Sequence, residues 1–169
     1  PAGVAAAAIL HRQGHSIAVV EKSTFPRFVI GESLLPRSMD LLKATGLLDA
    51  AASRSYLRKH GAAFLRGDEL SSFDFSDQHT EGWTWTWQVP RDDFDKTLAD
   101  ATEGMGVPVL YEHTVTDVIP GPPATVRLTD AEGAEHTVTA RFVVDASGYG
   151  RVLPRLLGLD QPSTLPLRH

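Results

Sequence analysis

The chain has 169 residues, 42% of them hydrophobic, no cysteine, and 16 Lys and Arg against 21 Asp and Glu, for a formal net charge of −5. That length suits one domain with a real core, the acidic balance argues against a phosphate-tracking nucleic-acid surface, and the missing cysteines exclude disulfides and thiolate chemistry. No apolar run reaches the roughly 18 residues of a membrane span, and no charged segment leads into an apolar signal core, so the expectation is a soluble, cytoplasmic protein.

Residues 5–10 are strongly helix-forming, and Gly14, just past His11, Arg12 and Gln13, is a natural helix stop. Residues 17–20 (Ile-Ala-Val-Val) make a short β-rich apolar run ending at Glu21, which predicts a buried strand. The chain thus opens on a helix with no strand ahead of it. Residues 162–166 have no periodicity, so the sequence reads as an internal piece of a longer protein. Residues 23–36 read as a loop. Helical spacing returns at Met39, Leu41, Leu42, Leu47 and Leu48, interrupted at Gly46, and residues 50–59 predict a further helix closed by Gly61. The period then becomes two: Leu70, Ser72 and Asp74 alternate with Ser71, Phe73 and Phe75, and Trp83, Trp85, Trp87 and Val89 alternate with Thr84, Thr86 and Gln88. These predict strands with one aromatic face. Residues 91–102 are helical again, ended by Gly104 and Gly106. Strands follow at 107–111, 114–119, 125–128 and 136–140, the last two flanking a hairpin signal at Ala131, Glu132 and Gly133. Phe142, Val143 and Val144 read as a final apolar strand running into Asp145-Ala146-Ser147-Gly148.

Gly3 at a helix start and Glu21 at the end of the next strand, 18 residues on, form the back half of a dinucleotide fingerprint. The glycine permits close helix–strand packing, the helix N-terminus favours pyrophosphate, and the acid accepts hydrogen bonds from a ribose. Glu21 in place of a basic residue favours a free 2′-hydroxyl, so FAD and NAD both qualify ahead of NADP. An ordinary α/β packing of an Ala-rich helix and a strand explains the same residues.

The run Phe25-Pro26-Arg27-Phe28-Val29-Ile30-Gly31-Glu32-Ser33-Leu34-Leu35-Pro36 resembles the flavin-dependent halogenases, a family built on the FAD-dependent monooxygenase fold. The resemblance continues through Lys59-His60-Gly61-Ala62-Ala63-Phe64, Gln88-Val89-Pro90-Arg91-Asp92-Asp93-Phe94-Asp95 and Asp145-Ala146-Ser147-Gly148, in the family's order. The Gly31-Glu32-Ser33-Leu34-Leu35-Pro36 block is its most specific element. The Val-x-Arg-x-x-Phe-Asp and Asp-Ala-Ser-Gly elements are shared with aromatic hydroxylases and geranylgeranyl-reductase-like enzymes. They support FAD without singling out halogenation.

The resemblance implies that Ala2, Gly3 and Glu21 hold the ADP half of FAD, that Glu32 and Ser33 lie on the loop against the flavin, and that Arg91 lies near the cofactor. It places Val115 beside the adenine, Asp145 and Gly148 in the turn that closes over the cofactor, and Lys59 as the catalytic lysine. The activity it implies uses FADH2 from a separate flavin reductase, forms a flavin C4a-hydroperoxide, and oxidises chloride or bromide. A lysine then delivers the halogen to an electron-rich aromatic substrate, free or tethered to a carrier protein. An amine suits that task, being a donor when protonated and a nucleophile when not.

Each residue also has a plainer reading. Lys59, in Arg58-Lys59-His60 before Gly61, suits the C-terminus of a helix; Glu32 suits a loop; and Arg91 with Asp92, Asp93 and Asp95 suits a charged helix start. Trp85-Thr86-Trp87-Gln88-Val89-Pro90 is similar to a halogenase Trp-x-Trp signature, but in the family that signature follows the Asp-Ala-Ser-Gly turn. The tryptophans are therefore read as core or pocket wall. The histidines look scattered, without the clustering of metal ligands, and no metal is expected. The expectation is an α/β fold: one partial Rossmann-like FAD-binding domain over 1–169, its first strand missing, with a small additional sheet whose aromatic-faced strands at about 70–90 lie on the substrate side. Its function is that of a halogenase. The alternatives are an FAD-dependent monooxygenase or reductase, and a truncated nucleotide-binding remnant without turnover.

Overall fold

A computed structural model describes residues 1–162, 164 and 165, so part of the aperiodic stretch expected at 162–166 lies outside the described residues. In chain order the elements are α1 (Ala2–Arg12), β1 (Val19–Val20), α2 (Arg37–Thr45), α3 (Leu48–Ala52), β2 (Leu57–Lys59), β3 (Gly61–Arg66), β4 (Glu69–Asp74), β5 (Thr86–Gln88), α4 (Arg91–Gly104), β6 (Val109–Leu110), β7 (Thr114–Ile119), β8 (Ala124–Thr129) and β9 (Glu135–Ala140). A 3-10 turn (Gly148–Gly150) and α5 (Val152–Leu156) follow. The strands form small sheets: β1 with β6, β2 with β5, β3 with β4, and β7-β8-β9. The described chain divides into two compact units, one of Pro1–Val19 and Thr24–Val109, the other of Val20–Ser23 and Leu110 onward.

The first unit is built on its helices. Val4, Ala7 and Ala8 are the buried residues of α1, three and four apart, a small-residue stripe that lets α2 and α4 approach closely. Met39 and Leu42 from α2, then Leu47 and Ala51, meet Trp87, Val89, Phe94, Leu98 and Ala99 in one core. Each large side chain there contributes on the order of 1.5–3 kcal/mol by leaving water. The buried hydroxyls of Thr45 and Thr102 donate to the carbonyls of Leu42 and Leu98, both at 2.8 Å, so burying them leaves no donor unmade. Gly46 ends α2 in the left-handed region at φ +79°, so the break in spacing is a true helix end.

Three expectations in this unit change. The helix predicted over 50–59 stops at Ala52, and the chain enters β2, which pairs antiparallel with β5 (Leu57 opposite Gln88, Lys59 opposite Thr86). Tertiary contact overrides propensity here: Tyr56 packs edge-on against Trp87 and Phe94 and donates its hydroxyl hydrogen to Asp93 at 2.7 Å. Gly61 closes no helix; it opens β3, where a Cβ would lie 2.3 Å from the Phe73 carbonyl oxygen of β4. Of the alternating tryptophan stretch only Thr86–Gln88 is strand. Trp83, Trp85 and Trp87 nevertheless stack edge-to-face in sequence, with centroids 5.3 and 5.4 Å apart.

The second unit is an antiparallel meander. Val126 and Leu128 of β8 face Val118 of β7 in a small core that Val20, Leu110, Val115, Val143 and Leu153 complete. The β8–β9 hairpin falls where Ala131, Glu132 and Gly133 predict it, with Gly133 at φ +82° and Asp130 Oδ1 accepting from the Glu132 and Ala134 backbone N–H groups. The apolar run at 17–20 yields strand only at Val19–Val20, and it is half-buried where a buried strand is expected. Phe142, Val143 and Val144 form no strand: they carry the apolar pattern without a ladder partner, and Phe142 and Val144 are exposed. No helix among the described residues is long and apolar enough to cross a membrane.

Candidate functional site

In the first unit the 31–36 segment is held from two sides. Its backbone lies on β5 as an added strand edge: Leu34 N–H donates to the Trp87 carbonyl at 3.2 Å, and Val89 N–H donates to the Glu32 carbonyl at 2.9 Å. From the other side Arg91, the first residue of α4, uses its whole guanidinium. Nε and Nη2 donate to the two carboxylate oxygens of Asp95 at 2.8 and 3.0 Å, and Nη1 donates to the Ile30 and Gly31 carbonyls at 3.0 and 3.2 Å. The Asp95 side chain is 1% exposed and that of Arg91 13%, so this is a buried bidentate pair that places a loop. Gly31 sits at φ +107°, with Arg91 Nη1 3.2 Å from where a Cβ would be.

Lys59 ends β2, not a helix, so its cation does not complement a helix terminus. Its Nζ donates to Ser33 Oγ at 2.5 Å and lies 5.2 Å from the centre of the Phe75 ring. The structure thereby brings together two residues singled out from sequence, 26 positions apart. Glu32 is exposed and borders an open depression of about 320 Å³ with Tyr56, Leu57, Gln88 and Pro90. Beside it Asp93 accepts hydrogen bonds from Arg54 and from the Tyr56 hydroxyl, which hold its carboxyl below the usual carboxylate range. Burial, then the Asp93 hydrogen bond, pushes the Tyr56 phenol up to about 12. Ala2 and Gly3 form the first turn of α1, which has neither a side-chain cap nor an acidic residue. Its N–H groups are available to an anion, which fits the phosphates of a dinucleotide.

In the second unit Glu21 follows β1, and its Oε1 accepts from Ser23 N–H at 3.0 Å. Val115 is half-buried in β7, at a bulge between Val115 and Asp117. Asp145 organises its turn: Oδ1 accepts from Ser147 N–H at 2.8 Å and Oδ2 from Leu153 N–H at 2.9 Å. Burial works against its ionised form, yet the hydrogen bonds from Ser147 and Leu153 outweigh it and hold the carboxyl below the usual range. Gly148 follows at φ +57°. The sequence reading missed Phe75 and the loop-holding role of Asp95, although the i, i+4 spacing of Arg91 and Asp95 on a predicted helix was a usable signal. It also missed a grouping of histidines with a carboxylate in this second unit.

Residues 1–167 match the FAD binding domain family. Among solved structures, the chain is 51% identical to a flavoprotein/dehydrogenase from Cytophaga hutchinsonii, with a TM-score of 0.93 over 98% of this chain and 42% of that one. It is 36% identical to CmlS, a flavin-dependent halogenase, with a TM-score of 0.86 over 94% of this chain and 29% of that one. Among curated proteins, the flavin-dependent halogenase armH4 of Armillaria mellea is 33% identical over 165 residues, which cover 90% of this chain and 31% of the relative. The chain spans about three-tenths of the length of the first curated relatives it matches. The fold is a Rossmann-like FAD-binding α/β fold with small separate sheets.

Proposed function

The chain belongs to the FAD binding domain family, and on that premise we propose that it serves a flavin-dependent halogenase, which puts chlorine or bromine on an electron-rich aromatic ring. The observation that supports this reading best is the Lys59 amine on the Ser33 hydroxyl of the 31–36 loop. Held by the residues named next, FAD reduced by a separate flavin reductase would supply the two electrons that bring oxygen to the peroxide level, at which it can oxidise a halide to hypohalous acid. On this proposal Ala2, Gly3, Glu21, Val115, Asp145 and Gly148 bind the cofactor, Glu32 and Ser33 lie against its ring, and the two units belong to one FAD-binding domain over 1–169. The aromatic-faced strands at about 70–90, which fall in two separate small sheets as β4 and β5, lie on its substrate side. Arg91 lies near the cofactor on the same proposal, and since four of its five N–H donors go to Asp95 and the loop carbonyls it acts there by positioning the loop.

Lys59 has two ways to carry the halogen. As an ammonium it donates a hydrogen bond to hypohalous acid; as a neutral amine it exchanges an N–H bond for an N–halogen bond, with release of water. Ring carbon then takes the halogen and loses a proton. Ser33 and the Phe75 ring fix where the amine stands. The test supplies the protein with FAD, a flavin reductase, NADH, oxygen and bromide, and reads phenol and indole products by mass spectrometry. A brominated product that disappears in Lys59→Ala while FAD binding persists is the expected result. A Lys59→Ala protein that still brominates overturns the role of Lys59. The 51% identity to a flavoprotein/dehydrogenase favours a second reading, an FAD-dependent monooxygenase or reductase. Oxygen insertion, or NADH consumption without a halogenated product, selects it.

A further inference from the structure

At one end of the β7-β8-β9 meander three ligand-type side chains converge from positions far apart in the chain. The register sets them on one face. Thr114 pairs with Thr129, so His113 stands opposite Asp130; Leu128 pairs with His136, and Asp130 lies two residues beyond Leu128 on the same side of the sheet. One ligand atom from each of His113, Asp130 and His136 lies within 4.8 Å of the other two. The His113 and His136 rings have centroids 5.5 Å apart.

The hydrogen bonds around the three leave the right atoms for an ion. His113 Nδ1 is 2.6 Å from the Tyr111 carbonyl oxygen, which can only accept, so Nδ1 carries the hydrogen and Nε2 of the neutral ring keeps its lone pair. A backbone carbonyl that fixes a histidine tautomer in this way is the usual support of a metal-binding imidazole. Asp130 is fixed likewise: Oδ1 accepts from the Glu132 and Ala134 N–H groups at 3.1 and 2.8 Å, which leaves Oδ2 to face His136 Nε2 at 2.6 Å.

We propose that His113, Asp130 and His136 form a binding site for a divalent transition-metal ion, with zinc as its natural occupant. Two imidazoles and one carboxylate suit zinc far better than magnesium or calcium, which want all-oxygen shells. Zinc bonds of roughly 2.0–2.2 Å put tetrahedral ligands about 3.3–3.5 Å apart, so Asp130 Oδ2 and His136 Nε2, now 2.6 Å apart, open to admit the ion, while ligand atoms standing as far as 4.8 Å apart draw in. The His136 side chain, 46% exposed, is free to make that swing. The ion takes the place of the hydrogen that His136 Nε2 shares with Asp130. That hydrogen goes to Nδ1 if the ring is neutral and to solvent if it is charged. Three protein ligands leave a fourth position to water. The bound ion ties the turn ahead of β7 to the β8–β9 hairpin and so stabilises the second unit.

The test is a Zn2+ titration by calorimetry of the chelator-treated, tag-free protein, with Mg2+ as a control, alongside thermal midpoints with and without Zn2+. Variants are His136→Gln, His113→Gln and Asp130→Asn, each compared in chelator by circular dichroism. His136→Gln changes an exposed side chain, so it reports even if a change at half-buried His113 disturbs the fold. The expected result is one saturable Zn2+, a raised midpoint, no response to Mg2+, and affinity at least about tenfold weaker in His136→Gln. Absence of saturable Zn2+ binding overturns the proposal. So does Zn2+ binding that His136→Gln leaves unchanged, which places the ion elsewhere.

Discussion

Asp95→Asn isolates the device that holds the 31–36 loop. Asp95 is nearly fully buried and accepts two parallel hydrogen bonds from Arg91, with Arg27 a further 3.9 Å away. Asparagine keeps the volume but removes the charge and turns an NH2 group toward donors, stranding a guanidinium that is itself mostly out of water. Breaking a buried pair in this way costs about 3–5 kcal/mol. The residual exposure of Arg91 puts the expectation near the lower end, about 3 kcal/mol, a large share of a typical domain's 5–15 kcal/mol. With a urea slope of about 2 kcal/mol/M, the midpoint falls by about 1.5 M. The local readout is more specific. With Arg91 released from Asp95, its bonds to the Ile30 and Gly31 carbonyls lose their anchor, so the Leu34 and Val89 amides exchange hydrogen faster. The double replacement Arg91→Met/Asp95→Leu removes both charges. It recovers most of the global stability but not the amide protection. A loss below about 1 kcal/mol in Asp95→Asn, with both amides exchanging as before, refutes the view that this pair positions the loop.

Two further outcomes follow from single residues. Tyr56 has a folded-state pKa raised from 10.0 to about 12, by burial first and then by its bond to Asp93. The stability this lends is complete below pH 10 and is lost as the pH rises through 12. A phenolate absorbance titration shows one late tyrosine that Tyr56→Phe abolishes, and a set of tyrosines all titrating near 10 rules the buried bond out. Gly61→Ala drives a Cβ into the Phe73 carbonyl at 2.3 Å, a backbone atom that cannot swing aside. It costs about 1–3 kcal/mol and weakens β3–β4 pairing by hydrogen exchange; an unperturbed hairpin contradicts the close approach.

What was legible in the sequence was whatever is local. The first helix, the Arg91 helix with its closing glycines, and the β8–β9 hairpin follow from propensity, spacing and turn chemistry, and each stands where predicted. The 31–36 block was legible as a motif but not as a structure, because its conformation comes from β5 on one side and Arg91 on the other. Lys59 shows the limit more sharply. Its neighbours have helical propensity, and what makes them a strand is the antiparallel pairing of Leu57 with Gln88 and the Tyr56 ring wedged between Trp87 and Phe94, all more than 30 positions away. The reading of residues 142–144 failed in the opposite sense, since an apolar run is only half of a strand and the other half is a partner.

The histidine grouping extends that lesson to ligand-type residues. Separations of 17 and 6 positions between His113, Asp130 and His136 match no short metal motif, so a reading by spacing finds them scattered. A meander converts those separations into a cluster, because residue 113 meets 130 across one ladder and 136 meets 128 across the next. The information was present in the hairpin signal at 131–133, from which the register of β8 on β9 follows once the turn is fixed. Ligands that lie next to a predictable turn are therefore better sought in paired-strand coordinates than along the chain.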